Sequence, residues 1–215
     1  MAVFLWVILY GLVYSAAAST DCLWILPAGM LAYTAALLIR IRRAGYSGKI
    51  GLRKCPVLSP GMLPLFALPL GNLLLGGFRF PGWAAGTVLV CICVTEEVFF
   101  RGFLLHWLLN KGTERAVLGT SLCFGLMHFA NLPAGADVGY TLIQVLCAFW
   151  VSVCYCRVTL RWGSLVPCIA AHILTNLTAS GSSDDGRRLP VMAAVIFAYA
   201  CYSHWLKKTQ KERMP

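Results

Sequence analysis

The chain consists largely of long apolar runs separated by short clusters of polar and basic residues. It is 59% hydrophobic and 12% charged, whereas an ordinary soluble domain has about 25% charged residues. Runs of about 20 apolar residues are long enough to cross the hydrocarbon core of a bilayer. Inside that core every backbone N–H and C=O must be satisfied within the protein, and helices do this locally. The sequence therefore predicts an all-α, multi-pass transmembrane helix bundle.

Eight apolar runs fit this pattern, and we treat residues 1–215 as a single integral-membrane domain. The fourth run is long enough to tilt or to project from the bilayer. The seventh run is short and contains Pro167, which predicts a kinked helix that is buried among its neighbours. The predicted spans cover residues 2–19, 22–41, 57–77, 83–109, 116–132, 138–160, 164–179 and 189–206.

The cations of the chain fall mainly on one side of this predicted topology. Fourteen of the eighteen Lys and Arg residues lie in the C-terminus or near the loops after spans two, four and six. Three lie on the opposite side, and Arg101 lies inside the fourth span. Cytoplasmic loops are enriched in Lys and Arg, so we expect a cell-membrane protein with both termini in the cytoplasm. We interpret the basic clusters as topology signals, and no nucleic-acid partner is expected.

An alternative concerns the N-terminus, where YSAAAST follows the first apolar run and resembles a signal-peptide cleavage site. Cleavage there would remove residues 1–18 or so and leave seven spans. The remaining loops would keep the same sidedness, so charge counting does not decide between a first span and a signal peptide.

Three ionisable residues interrupt the fourth apolar run, within CVTEEVFFRGF at residues 93–103. Charged groups are costly in a membrane, so they usually face the bundle interior, find partners and mark function. Glu97 and Arg101 are four residues apart, a spacing that permits an ion pair on a helix. Glu96 points about 100° away, so Arg101 cannot serve both carboxylates equally. This predicts one paired, structural carboxylate and one that is free for chemistry.

Two further spans carry polar groups that are suited to acid–base work or hydrogen bonding. His128 follows Phe124 by one helical turn, and His172 and Asn176 share one face of a later helix. The two other histidines, His106 and His204, sit near predicted span ends, where an amphipathic ring commonly rests at the interface.

Three short motifs now stand in order on separate apolar runs: EEVFFR (EExxxR), FGLMH (FxxxH) and HILTN (HxxxN). With them the chain resembles the CPBP family of CAAX-protease and bacteriocin-processing intramembrane proteases, which includes type II CAAX prenyl endopeptidases. The resemblance covers about residues 83–180. It implies an eight-helix intramembrane endopeptidase whose substrate is a peptide or protein, lipidated or membrane-associated. The site residues that it implies are Glu96, Glu97, Arg101, His128, His172 and Asn176.

Amide hydrolysis needs a nucleophilic water, a base and donors for the oxyanion. We assign the base to Glu96, with His128 helping to orient the water. His172 and Asn176 are the expected oxyanion donors, while the Glu97–Arg101 pair holds the helix. No cofactor is expected in this mechanism.

Other readings of the same residues stay open at this stage. A zinc-dependent protease would place Zn²⁺ between Glu96, His128 and His172, which are competent ligands. A transport or proton-relay protein would use the same buried groups. A haem protein would use the two histidines as axial ligands, and a non-proteolytic scaffold would retain only the fold.

Overall fold

The computed structural model describes residues 24–52, 59–76, 78–179 and 187–211, and these residues form helices and connecting turns without a β-strand. The predicted all-α bundle is therefore confirmed. The predicted first span, residues 2–19, and the YSAAAST stretch lie outside the described residues. The α-helices are α1 (Ile25–Arg43), α2 (Ala67–Leu74), α3 (Trp83–Glu97), α4 (Leu105–Leu108), α5 (Thr113–Met127), α6 (Val138–Trp162), α7 (Val166–Ala179) and α8 (Arg188–Lys211).

Several of these helices are extended by turns of different pitch. A 3₁₀ segment, Pro60–Phe66, leads into α2. A π-helical segment, Val98–Leu104, joins α3 to α4, and the 3₁₀ segment Leu109–Lys111 ends that stretch. The 3₁₀ segment His128–Ala134 continues α5. The fourth predicted span is thus helical throughout, although it is not one uniform α-helix.

Helical segments occupy the positions of the second to the eighth predicted spans. Three of the described helices are long and apolar enough to cross a membrane: Ile25–Arg43, Val138–Trp162 and Arg188–Thr209. Pro60–Leu74 and Val166–Ala179 are shorter apolar helices. At 1.5 Å per residue, the 14 residues of α7 span about 21 Å. The number of eight spans therefore stays a prediction.

Pro167 lies in the first turn of α7 and not in its middle. Proline is tolerated there because the first N–H groups of a helix have no intrahelical acceptor. The reason for expecting a kink therefore disappears, whereas the burial of Pro167 was anticipated.

The long helix α6 forms the centre of the bundle. Residues 151–159 are buried without a break, so this stretch is covered on all sides. Its side chains share the largest apolar cluster with α2, α7 and α8. Gly125 of α5 permits close contact with α6, because an added Cβ would lie 3.0 Å from the Val145 carbonyl oxygen. Small residues commonly allow membrane helices to approach in this way.

Candidate active site

The π-helical segment follows the two adjacent glutamates directly and contains Arg101. Such segments are rare and occur frequently at functional sites. Glu97, at the end of α3, and Arg101 both have fully buried side chains. Nη1 of Arg101 donates to Oε1 of Glu97 at 3.0 Å. The expected ion pair is therefore present, and it is buried.

His172 of α7 contacts the same oxygen of Glu97, with 2.9 Å between Nδ1 and Oε1. A carboxylate only accepts hydrogen bonds, so Nδ1 of His172 carries the proton. In the neutral ring, Nε2 is then an acceptor. This contact joins the EExxxR and HxxxN motifs through one carboxylate.

Glu96 lies on the other side of the same imidazole ring. Its Oε2 is 3.8 Å from Nε2 of His172, beyond direct hydrogen-bonding distance. The side chain of Glu96 is 18% exposed, whereas that of Glu97 is 0% exposed. Glu97 is therefore the paired carboxylate and Glu96 the more accessible one, whereas the freedom of Glu96 for chemistry stays a prediction.

Aromatic rings surround the guanidinium of Arg101. Its Cζ lies 4.2 Å from the ring centroid of Phe124 and 5.3 Å from that of Tyr155. The negative faces of aromatic rings attract a cation in this way. Four buried polar atoms here have no hydrogen-bond partner within the described chain: Oε2 of Glu97, Nε and Nη2 of Arg101, and the hydroxyl oxygen of Tyr155.

His128 and Asn176 are each held by a neighbouring group. Nδ1 of His128 lies 3.0 Å from the carbonyl oxygen of Phe124, so this nitrogen carries the proton and Nε2 is an acceptor. The amide of Asn176 donates through Nδ2 to Sγ of Cys93 at 3.3 Å. The ring of Phe124 contacts the rings of both His128 and His172. One phenyl ring thus packs against two candidate residues from different helices.

A cavity of about 140 Å³ brings these residues together. His128, His172 and Asn176 border it, together with Tyr155 and a mainly apolar set of side chains. Glu96 and Glu97 are not among the residues that line it, and they meet the site through His172. A second, apolar cavity of about 500 Å³ lies along α1 and α3 and also reaches Asn176.

The two remaining histidines lie elsewhere, as the sequence indicated. Nδ1 of His106 contacts the carbonyl oxygen of Arg101 at 3.0 Å, and His204 is exposed on α8. Neither borders the two cavities.

The geometry of the candidate residues does not suit a haem or a zinc ion. Sites for drug-sized ligands measure about 300–1,000 Å³, so the 140 Å³ cavity between the histidines is too small for a haem. In the described residues, no three His, Cys, Asp or Glu side chains come close enough to hold a metal ion. Glu96 and His172 do face each other, but His128 does not complete a set of three with them.

Sequence reasoning missed four residues that shape this site. Phe124 was visible as the first letter of FxxxH, but its contact with Arg101 was not. Cys93, Tyr155 and Arg188 carry no motif. Tyr155 and Arg188 enter through the packing of α6 and α8, which periodicity within a single helix does not reveal.

Comparison with known proteins identifies one family. The family model described as Type II CAAX prenyl endopeptidase Rce1-like matches residues 78–178. This segment includes all six candidate residues and runs from just before α3 almost to the end of α7. No curated protein and no solved structure matches the chain.

Proposed function

We propose that this chain, whose residues 78–178 match the family model described as Type II CAAX prenyl endopeptidase Rce1-like, is an intramembrane endopeptidase whose nucleophile is a water molecule activated by Glu96. Proteins of that family are peptidases that act on protein or peptide substrates in membranes, which supports the proposal. The observation that supports the role of Glu96 is the distance of 3.8 Å between its Oε2 and Nε2 of His172.

Two acceptors face each other across that distance. An ionised Glu96 and the Nε2 lone pair of His172 repel unless a donor lies between or beside them. One water molecule satisfies both acceptors by donating one hydrogen bond to Oε2 of Glu96 and one to Nε2 of His172. Each of these hydrogen bonds would be about 2.8 Å long. Its own lone pairs then stay available for attack on a substrate carbonyl.

Proton transfer to Glu96 is favoured by the charges of the buried cluster. Glu96, Glu97, Arg101 and a neutral His172 together carry one net negative charge, and uncompensated buried charge is costly. The water oxygen bonds to the carbonyl carbon while Glu96 takes its proton, so the negative charge passes from Glu96 to the carbonyl oxygen, which becomes the tetrahedral oxyanion. The same proton then passes from Glu96 to the leaving nitrogen as the C–N bond breaks.

Asn176 is the proposed donor to the tetrahedral oxyanion. Its amide has two N–H hydrogens, and one of them is used at Cys93. The second is suited to the developing negative charge. His172 accepts at Nε2, so we now assign it to orienting the water and no longer to the oxyanion. His128, also an acceptor, is suited to a substrate N–H.

The proposed mechanism uses no metal ion. A zinc-dependent protease is the second candidate, although no three ligands come together among the described residues. The observation in its favour is that Nδ1 of each histidine contacts an oxygen acceptor, Oε1 of Glu97 or the carbonyl oxygen of Phe124. Histidines that bind metals usually have such orienting partners. The same contacts fix the tautomers in the metal-free mechanism.

Our first prediction is that Glu96→Gln abolishes peptide cleavage while the protein still inserts and purifies. Glutamine keeps the shape of the side chain but cannot accept the proton, and loss of a general base typically costs about 10²–10⁴-fold in rate. The measurement is cleavage of a fluorogenic prenylated CAAX peptide by the detergent-purified protein. We expect wild-type activity to survive exhaustive chelation.

Glu114→Gln is the matched control, because this glutamate lies away from the site, next to Arg157 and Lys207. It should cleave the peptide at the wild-type rate. If wild type and Glu96→Gln cleaved the peptide at equal rates, Glu96 would not be the general base. The zinc-dependent mechanism would be established if the purified protein contained about one zinc ion per chain, and if activity were lost when zinc was removed and restored when zinc was added back.

A further inference from the structure

The cavity that holds the candidate residues is also bordered by Arg188, the first residue of α8. Among the described residues that line this cavity, Arg188 is the only Lys, Arg, Asp or Glu. Most of its other neighbours in the lining are apolar, including Leu68, Ile143 and Met192. A cation in largely apolar surroundings creates a positive field that a bound ligand would feel more strongly than it would in water.

The side chain of Arg188 is held in place by an aromatic ring. Its Cζ lies 4.3 Å from the centroid of the Tyr140 ring, and Tyr140 also borders the cavity. This is a cation–π contact of the guanidinium carbon, whereas the N–H donors of a guanidinium point outwards in its own plane. The ring therefore orients the guanidinium while leaving its donors available. This favours a planar acceptor that binds edge-on.

We propose that Arg188 binds a carboxylate of the peptide substrate and makes the enzyme select peptides with a negative charge next to the cleaved bond. This inference rests on the proposed function, since it takes the cavity to be the peptide site. Carboxylates match the guanidinium fork with two parallel hydrogen bonds.

The size of the cavity sets how near that carboxylate lies to the reacting bond. A cavity of roughly 150 Å³ holds one benzene molecule, and this one measures about 140 Å³. It has room for about one side chain. A carboxylate at Arg188 is therefore expected within one or two residues of the bond placed beside His172 and Asn176.

Two sources supply a carboxylate in that position: a free C-terminus or an acidic side chain. Four fluorescent prenylated peptides separate them. One ends in a free acid, one is its C-terminal amide, and two are amides that carry Asp or Asn at the last residue. Binding is measured by fluorescence anisotropy on detergent-purified protein, and cleavage is measured in parallel.

Arg188→Gln should weaken binding of the carboxylate peptides by roughly 10- to 100-fold, as expected for a hydrogen-bonded charge pair. It should leave binding of the neutral peptides unchanged. Arg188→Lys keeps the charge without the fork and should give a smaller loss. Arg187→Gln is the matched control, because Arg187 is the neighbouring arginine and does not border the cavity. It should behave as wild type.

The peptide that loses affinity identifies the source of the carboxylate. Equal affinity of wild type and Arg188→Gln for every peptide would overturn the inference, and so would an equal loss for the neutral peptides. The binding assay separates the two proposals. Charge-selective binding without cleavage would contradict the proposed peptidase only, whereas cleavage without charge selection would contradict the role of Arg188 only.

Discussion

A single oxygen of Glu97 accepts hydrogen bonds from both Arg101 and His172. The first contact lies within the α3–π stretch, whereas the second reaches across to α7. Glu97 therefore does more than neutralise Arg101, because it also fixes the proton of His172 on Nδ1 and leaves Nε2 facing Glu96. Replacing Glu97 should affect both stability and chemistry.

We predict that Glu97→Gln lowers the free energy of unfolding by about 3–5 kcal/mol, because it leaves a buried guanidinium without a counter-charge. Activity should fall as well, since a neutral amide holds His172 less firmly. Thermal unfolding in detergent and kcat at saturating peptide measure the two effects.

The double variant Glu97→Gln, Arg101→Met is the control, because it removes the isolated charge as well. Replacing both partners of a buried pair by neutral groups is often tolerated, so stability should recover while activity stays low. Wild-type stability of the single variant would show that Glu97 does not carry the ion pair.

Sequence spacing predicted some of these contacts and not others, for a physical reason. The pairing of Glu97 with Arg101 follows from helical periodicity, as does the divergence of Glu96. The contacts of Glu97 with His172 and of Cys93 with Asn176 join α3 to α7. Their geometry depends on how the two helices are rotated against each other, and no spacing within either helix contains that information.

At the scale of helices, an ion cluster ties three of them together at the start of α5. Glu114 binds both terminal nitrogens of Arg157 on α6, at 3.1 and 3.0 Å. Nζ of Lys207 on α8 lies 2.9 Å from Oε2 of Glu114. These hydrogen bonds and charges lower the pKa of Glu114 to about 2.

This lowered pKa predicts how stability depends on pH. An unfolded glutamate has a pKa of about 4.3, so the native state favours the ionised form. The resulting stabilisation is complete above about pH 4.5 and is lost as the pH falls towards 2. Glu114→Gln should therefore unfold at a lower temperature than wild type at pH 7, and the difference should vanish near pH 2.

The size of that difference is modest, because the Glu114 side chain is 43% exposed and solvent screens it. Thermal melts of both proteins in detergent across this pH range measure it. A difference that persists unchanged at pH 2 would mean that the charge of Glu114 is not its cause.

The sequence predicted the positions of the helices better than it predicted their pitch. Apolar runs located seven helical segments within a few residues, because burial in a membrane imposes long apolar stretches. The π-helical turn at Val98–Leu104 and the 3₁₀ turn at His128–Ala134 were not foreseen. The apolar pattern does not distinguish these pitches, because a single apolar run can close i→i+3, i→i+4 or i→i+5 hydrogen bonds.

At the scale of the whole molecule, the uneven distribution of cations supports our proposal that both termini face the cytoplasm. The loop after α1 carries several of these cations, including Lys49. Gly48 in this loop is exposed, and a Cβ added there would meet nothing within 4 Å. A cysteine at this position should be tolerated.

We predict that Gly48→Cys, in a background without other cysteines, resists an impermeant thiol reagent in intact cells and reacts after permeabilisation. The exposed Cys123 and Cys201 make the cysteine-free background necessary. A cysteine introduced at Leu189, on the opposite side of the predicted topology and exposed, is the control and should react in intact cells. The reverse pattern would invert the proposed orientation.

The π-helical turn beside the site makes the function of the chain sensitive to residue number as well as residue type. Such a turn holds one more residue than the α-helical path it replaces. Losing one residue between 98 and 100 would restore ordinary pitch and leave α3 and α4 in nearly the same relative rotation, because the wide turn is what accommodates the extra residue. Arg101 would then follow Glu97 by three residues instead of four, so the guanidinium would leave its present position beside Phe124 and Tyr155. The number of residues in this turn therefore helps to fix how the buried ion pair forms, even where every motif residue is kept.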